Sequence, residues 1–211
     1  MASKMNELYL ALGDSLTTGY GVGANQSFAA LFYRSLLSSF PGLKYENLGV
    51  NGLTSGGLIT LMSQKGVCSL IAQSKVISVT IGSNDLLATG KELLSGAGAN
   101  IDLTLGNLNH NIMLIGGHIR AINPFVLVMI STLYSPLPPM NKQSRALTQE
   151  LLKTANHSII RMARENRFRV IPVAKAFNGQ EQLLLGPDHL HPNVMGHRAM
   201  ADLYIKSIQL P

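Results

Sequence analysis

The sequence predicts an α/β protein, a mainly parallel sheet with helices covering both of its faces. Three observations carry that expectation. Short apolar, β-branched or aromatic runs alternate with longer segments of helical period along the chain. At 211 residues the chain is long enough to bury a full-sized core. Apolar residues make up 46% and charged residues 13%, a balance that excludes disorder by composition.

The strands are expected at Leu8–Leu12, Lys44–Leu48, Val76–Ile81, Phe125–Ile130 and Arg169–Val173. Helices are expected between them at 27–39, 54–64, 103–121 and 143–166, with a last one at 193–208. In the first of these, Phe28, Leu31, Phe32, Leu36 and Leu37 recur at helical spacing. Strands alternating with helices imply βαβ units and hence parallel pairing. With no internal repeat and no dividing linker, residues 1–211 are expected to form one domain. Two connections stand out as loops. Residues 86–102 mix apolar residues with glycines, and 132–141 are proline-rich yet carry Leu133, Tyr134, Leu137 and Met140. Long loops in compact domains are often functional, but such residues also tuck onto a core.

Composition narrows the function classes. Lys and Arg number 17 against 11 acidic residues, so the chain is basic by 6 charges. The one notable cluster, Arg161, Arg164, Arg167 and Arg169, sits near the end of a predicted helix, where cations complement the helix dipole. No interleaved aromatics accompany it, so no nucleic-acid partner is expected. The N-terminus leads into only five apolar residues, Leu8–Leu12, shorter than a signal peptide requires. The run Phe125–Ile130 is far too short to cross a bilayer, so no integral membrane segment is expected. A lone cysteine, Cys68, has no disulfide partner and no companion for a zinc site. The reading is a cytoplasmic protein.

Open parallel sheets bind ligands outside the carboxyl ends of their strands, so the loops after the first three strands belong together. They are Gly13-Asp14-Ser15-Leu16-Thr17-Thr18-Gly19, then Asn47 and Gly49-Val50-Asn51-Gly52, then Gly82-Ser83-Asn84-Asp85. Ser15 lies where the chain must turn sharply from a strand toward a helix. Alone, a serine there is more often a helix cap, because a nucleophilic serine needs a base. Asp188-His189-Leu190-His191-Pro192 supplies one: three residues apart in a turn, Asp188 reaches His191 and fixes its tautomer. On its own that segment is better read as a polar cap before the last helix, with Pro192 in its first turn. Oxyanion donors are the Ser15 N–H, the Gly52 N–H and the Asn84 side-chain amide, one after each strand. The coincidence of all four elements favours chemistry over four unrelated caps and turns.

Those four blocks resemble the SGNH hydrolases, also called the GDSL lipase/esterase family, whose motifs centre on Ser, Gly, Asn and His in this order. The resemblance runs from the first strand to the last helix. It implies a flavodoxin-like three-layer α/β/α sandwich with five parallel strands in order 2-1-3-4-5. It also implies a serine hydrolase of carboxylic esters, a lipase/esterase or lysophospholipase-like acylhydrolase, with Ser15, Asp188 and His191 catalytic and no cofactor or metal. The chain departs from the family where glycine commonly follows the aspartate; here His189 stands, a second imidazole beside the site.

Competing readings differ in what they require. His189, His191 and His197 suggest a metal site, but no further ligand cluster completes it. Position 17 is threonine, so Gly-X-Ser-X-Gly is absent, and no nucleotide-binding glycine motif occurs. A small-molecule binding module on the same scaffold would lack a catalytic part. A carbohydrate O-acetylesterase would want a shallow polar cleft, yet the chain has no Trp. A thioesterase would use the same machinery. An acyl-chain esterase would want an apolar pocket, for which Leu133, Tyr134, Leu137 and the 86–102 segment are the candidates. The partner expected is a small-molecule ester; oligomeric state is not legible.

Overall fold

The computed structural model describes residues 8–94, 98, 100–136 and 142–209. Five parallel strands form one sheet in the order β2-β1-β3-β4-β5, as the resemblance implied. They are β1 (Leu8–Gly13), β2 (Lys44–Gly49), β3 (Ser74–Thr80), β4 (Leu127–Ser131) and β5 (Arg169–Ile171). The longer helices are α2 (Phe28–Leu36), α3 (Ser55–Met62), α4 (Lys65–Gln73), α5 (Ser83–Leu94), α6 (Ile101–Ile122), α7 (Lys142–Glu165) and α10 (Val194–Gln209). Short helices α1 (Ser15–Thr18), α8 (Val173–Phe177) and α9 (Glu181–Leu184) occupy turns.

The period-2 geometry of a strand sends alternate residues to opposite faces, and β1 shows how this builds two cores. Leu8, Leu10 and Leu12 join α3, α4, α6 and α7 on one side, with Leu58, Ile71, Ile115 and Ile159 buried among them. Tyr9 and Ala11 join α2, α8 and α10 on the other, against Phe28, Phe32, Phe177 and Tyr204. The fold is a flavodoxin-like α/β/α sandwich. Buried hydroxyls pair across it: Tyr9 with Ser78 at 2.7 Å, and Ser131 with Tyr204 at 2.8 Å. An unpaired hydroxyl at either place would cost about 1–3 kcal/mol.

Sheet register positions the site. Gly13, the last residue of β1, lies opposite both Gly49 of β2 and Thr80 of β3. The three loops that follow therefore leave the sheet from one rung.

Several expectations need correction. Residues 86–94 are not a loop, since α5 runs through Leu94, and Ile101 and Asp102 already belong to α6. Ser83 and Asp85 suit a helix start, the leucines after them favour its continuation, and Gly90 costs only about 1 kcal/mol against Ala. The segment after Met62 is a further helix, α4, whose Val67 and Ile71 are four apart on its buried side. Phe125, expected in β4, is 94% exposed ahead of it. β5 ends at Ile171, and Val173 opens α8 after Pro172. Residues 132–136 are irregular as expected, while Leu137 and Met140 lie outside the described residues. Among the described residues, no helix is long and apolar enough to cross a membrane.

Candidate active site

The turn from β1 to α1 is held by the core. Gly13 has φ +146°, and a Cβ there would stand 2.3 Å from the Thr80 carbonyl, so only glycine fits. Directly after it the Asp14 N–H donates to that carbonyl at 3.1 Å. The Asp14 side chain then caps α1: Oδ1 accepts from the Leu16 N–H at 3.1 Å and from the Thr80 hydroxyl at 2.8 Å. The Thr80 hydroxyl is also 2.8 Å from that of Thr17. Burial pushes the Asp14 carboxyl up to about 6, against the pull of those hydrogen bonds. Ser15, first in the helix, is only 8% exposed.

The turn before α10 is built differently. A single antiparallel bridge joins Leu185 to Pro192, and the Gly186 N–H donates to the His191 carbonyl at 2.7 Å. Inside this loop Asp188 Oδ1 accepts from the Leu190 and His191 N–H groups at 3.0 and 2.9 Å. Its Oδ2 is 2.6 Å from His191 Nδ1, and His191 Nε2 is 2.9 Å from Ser15 Oγ. Desolvation raises the Asp188 carboxyl, but the bonds from the His191 ring and from both N–H groups outweigh it and hold it below its ordinary value. An ionised Asp188 puts the imidazole proton on Nδ1 and leaves Nε2 as the acceptor facing Ser15. His189 takes φ +57°, the left-handed conformation that a glycine adopts freely, and its side chain faces solvent.

Two aromatic residues contact the His191 turn. The Tyr134 hydroxyl donates to the Leu190 carbonyl at 2.6 Å, tying this turn to the segment after β4. That segment is itself held by Asn156, whose amide bonds both the N–H and the carbonyl of Leu133, at 2.7 and 2.8 Å. The Tyr20 ring lies 4.4 Å from the His191 ring, tilted by 42°. His197 is not beside these groups in solvent: it is buried, its Nδ1 accepting from the Phe28 N–H at 3.1 Å, and burial pushes it down to about 4.

The remaining blocks follow the neighbouring strands β2 and β3. The Asn47 amide donates to the Thr17 carbonyl at 2.8 Å, binding the end of β2 to α1. Gly52, φ +77°, occupies the exposed turn after β2. The Asn84 Nδ2 donates one hydrogen to the Leu53 carbonyl at 2.9 Å, which joins the second and third blocks and leaves its other hydrogen for a ligand. Asp85 accepts from the Ser55 hydroxyl at 2.6 Å and from the Ser55 N–H at 2.9 Å, locking α3 to α5.

Ser15, His191 and Asn84 stand at the edge of a cavity of about 270 Å³. Leu86, Leu87 and Gly90 of α5 form one wall; Thr148, Leu151 and Leu152 of α7 form another; Tyr134 and Leu190 border it as well. Of the acyl-pocket candidates, Tyr134 therefore faces the cavity. Leu133 does not line it and packs in the core beneath. Leu137 lies outside the described residues. The α7 wall and Tyr20 were missed from sequence. Neither carries a motif, and each meets the site across a large gap in the chain.

The GDSL-like lipase/acylhydrolase family model matches residues 11–199. The spore germination lipase LipC of Bacillus licheniformis is 23% identical, with 92% of each chain covered. Among solved structures, the lipase Lip_vut3 from a goat rumen metagenome superposes with a TM-score of 0.81 at 23% identity, covering 95% of this chain and 96% of that one. The acetylxylan esterase Axe2 of Geobacillus stearothermophilus superposes with 0.69 at 19% identity, covering 99% and 98%.

Proposed function

The chain belongs to the GDSL-like lipase/acylhydrolase family, a family of carboxylic ester hydrolases, and from that premise we propose that it cleaves acyl esters through an acyl-enzyme on Ser15. One observation carries the reading: the unbroken hydrogen-bonded chain Asp188–His191–Ser15, at 2.6 and 2.9 Å, opening onto an apolar cavity. Residues 1–211 are read as a single hydrolase domain.

The steps follow from the donors and acceptors present. His191 Nε2 takes the Ser15 proton as Oγ attacks the ester carbonyl, and Asp188 stabilises the imidazolium that results. Negative charge gathers on the former carbonyl oxygen. The Ser15 N–H, the Gly52 N–H and the free hydrogen of Asn84 are assigned to receive it. Collapse expels the alcohol, which takes its proton from His191. Water, activated by the same imidazole, then attacks the acyl-enzyme and releases the acid.

The leucine-lined walls favour an ester with a hydrocarbon acyl chain over an acetylated sugar. An acetyl group would leave most of about 270 Å³ unfilled, and the lining offers a sugar few polar partners. Rapid acid quenching during turnover of p-nitrophenyl hexanoate tests the mechanism. A hexanoyl mass increment on the Ser15 peptide, absent in Ser15→Ala, is expected. Full steady-state activity in Ser15→Ala would refute it.

A further inference from the structure

Gly90 stands in the interior of α5, where glycine costs about 1 kcal/mol relative to alanine. Neither the backbone nor the packing requires it. Its conformation is ordinary helix rather than left-handed, and a Cβ built on it meets nothing within 4 Å among the described residues. The next helix does not crowd it, since α5 meets α6 through Thr89, whose hydroxyl is 2.8 Å from that of Thr104. Gly90 instead shares a helix face with Leu86 and Leu87, four and three residues before it, and all three line the cavity. What the missing side chain leaves is room in that cavity.

We propose that Gly90 sets the acyl-chain length this enzyme accepts, by keeping open a stretch of wall that any larger side chain would fill. The inference rests on the reading of the cavity as the acyl site beside Ser15. From Asn84, which lines the cavity together with Ser15, to Gly90 the helix rises about 9 Å, six residues at roughly 1.5 Å each. An extended alkyl chain advancing roughly 1.3 Å per C–C bond spans that distance in about seven carbons. Shorter chains end before Gly90, and medium chains of about eight to ten carbons run past it between α5 and α7. The substrate class is medium-chain acyl esters.

The test is the ratio of kcat/KM for p-nitrophenyl octanoate to that for p-nitrophenyl acetate, in the full-length protein. Gly90→Leu should lower that ratio by ~10-fold or more, since each methylene kept out of apolar surroundings forfeits about 4-fold. Gly90→Ala, which favours the helix and so folds at least as well, should lower it by a few-fold. Ala88→Leu, on the exposed side of the same helix, should leave the ratio where it is. A ratio unchanged in Gly90→Leu, or lowered equally by Ala88→Leu, overturns the proposal. Ser15→Ala assayed alongside keeps the two readings apart. Hydrolysis that survives it defeats the nucleophile assignment, whereas a fixed ratio in a Ser15-dependent Gly90→Leu enzyme defeats only the role of Gly90.

Discussion

The two turns that meet at the site are built on opposite plans. The turn of the proposed nucleophile is embedded: Asp14, Ser15 and Thr17 are all buried, and Gly13 is wedged against β3. The turn of the proposed base, the base turn, is a surface loop, with the Asp188 side chain 44% exposed, and it keeps its form through hydrogen bonds to Asp188 and Tyr134. Ser15 is thus placed by folding itself, at no separate cost in order. His191 is placed by a few local contacts whose loss the rest of the fold survives. The contrast implies that damage to the first turn reads out as lost stability, and damage to the second as lost turnover.

The largest expected effect is on the exposed side. His191→Ala should lower kcat/KM by ~10⁴-fold or more, and His191→Ala combined with Ser15→Ala should be scarcely worse than either alone, because the residues act as a unit. Thermal unfolding of His191→Ala should stay close to that of the parent. A large fall in Tm would break the contrast, since it would make the base turn part of the folding core.

Asn84 stands between the two plans, lining the cavity while its amide grips the Leu53 carbonyl. Asn84→Ala should reduce kcat by ~10²-fold or more with KM little changed. It should also cost stability of about 1 kcal/mol for the lost hydrogen bond. Steady-state kinetics and urea unfolding on one preparation measure both, and a loss confined to stability would make Asn84 a strut only.

The buried side should announce itself through pH. Folding raises the Asp14 carboxyl from 3.8 to about 6, so the folded state favours its neutral form. The stability this contributes is full below pH 3.8 and is lost as pH rises through about 6. Asp14→Asn keeps the Oδ1 acceptor and removes the titration. Between pH 4 and 7 the parent should therefore lose roughly 2–3 kcal/mol of unfolding free energy relative to the variant. Parallel pH profiles of the two would show instead that Asp14 folds as an ordinary carboxylate.

The smallest effect sharpens the picture of the base turn. Tyr134→Phe removes the hydroxyl that holds the Leu190 carbonyl but keeps the ring stacked 4.6 Å from Phe177. A several-fold fall in kcat with a loss of about 1 kcal/mol or less in stability is expected. An unchanged kcat would mean that Asp188 alone orients His191.

The same contrast explains what was legible in the sequence. The parallel sheet and the four blocks at its carboxyl edge could be read because apolar runs, small residues and polar residues recur at fixed places in the chain, and the strand order followed from the family resemblance that those blocks carry. Gly13 and Gly49 pair in the β1–β2 register, and Asn84 follows four residues after Thr80, which pairs with Gly13 from β3. α5 escaped notice because Gly90 and the glycines after it look like loop punctuation, yet a leucine-rich run with a good helix start tolerates one glycine. The α7 wall was invisible for another reason. Leu151 and Leu152 meet the site only because α7 packs on α6 and so borders the same cavity as α5, and apolar residues on a helix read the same whether they face a core or a cavity. Tyr20 on His191 is a contact between residues 171 positions apart, with no spacing rule to announce it.

The most direct test of the central claim is inactivation by an alkyl fluorophosphonate, followed by peptide mapping. A single adduct on Ser15, formed in step with the loss of ester hydrolysis and slowed at least ~10²-fold in His191→Ala, is the result expected from the Asp188–His191–Ser15 chain. An adduct on another serine, or stoichiometric labelling of Ser15 in an enzyme that still turns over, would contradict it.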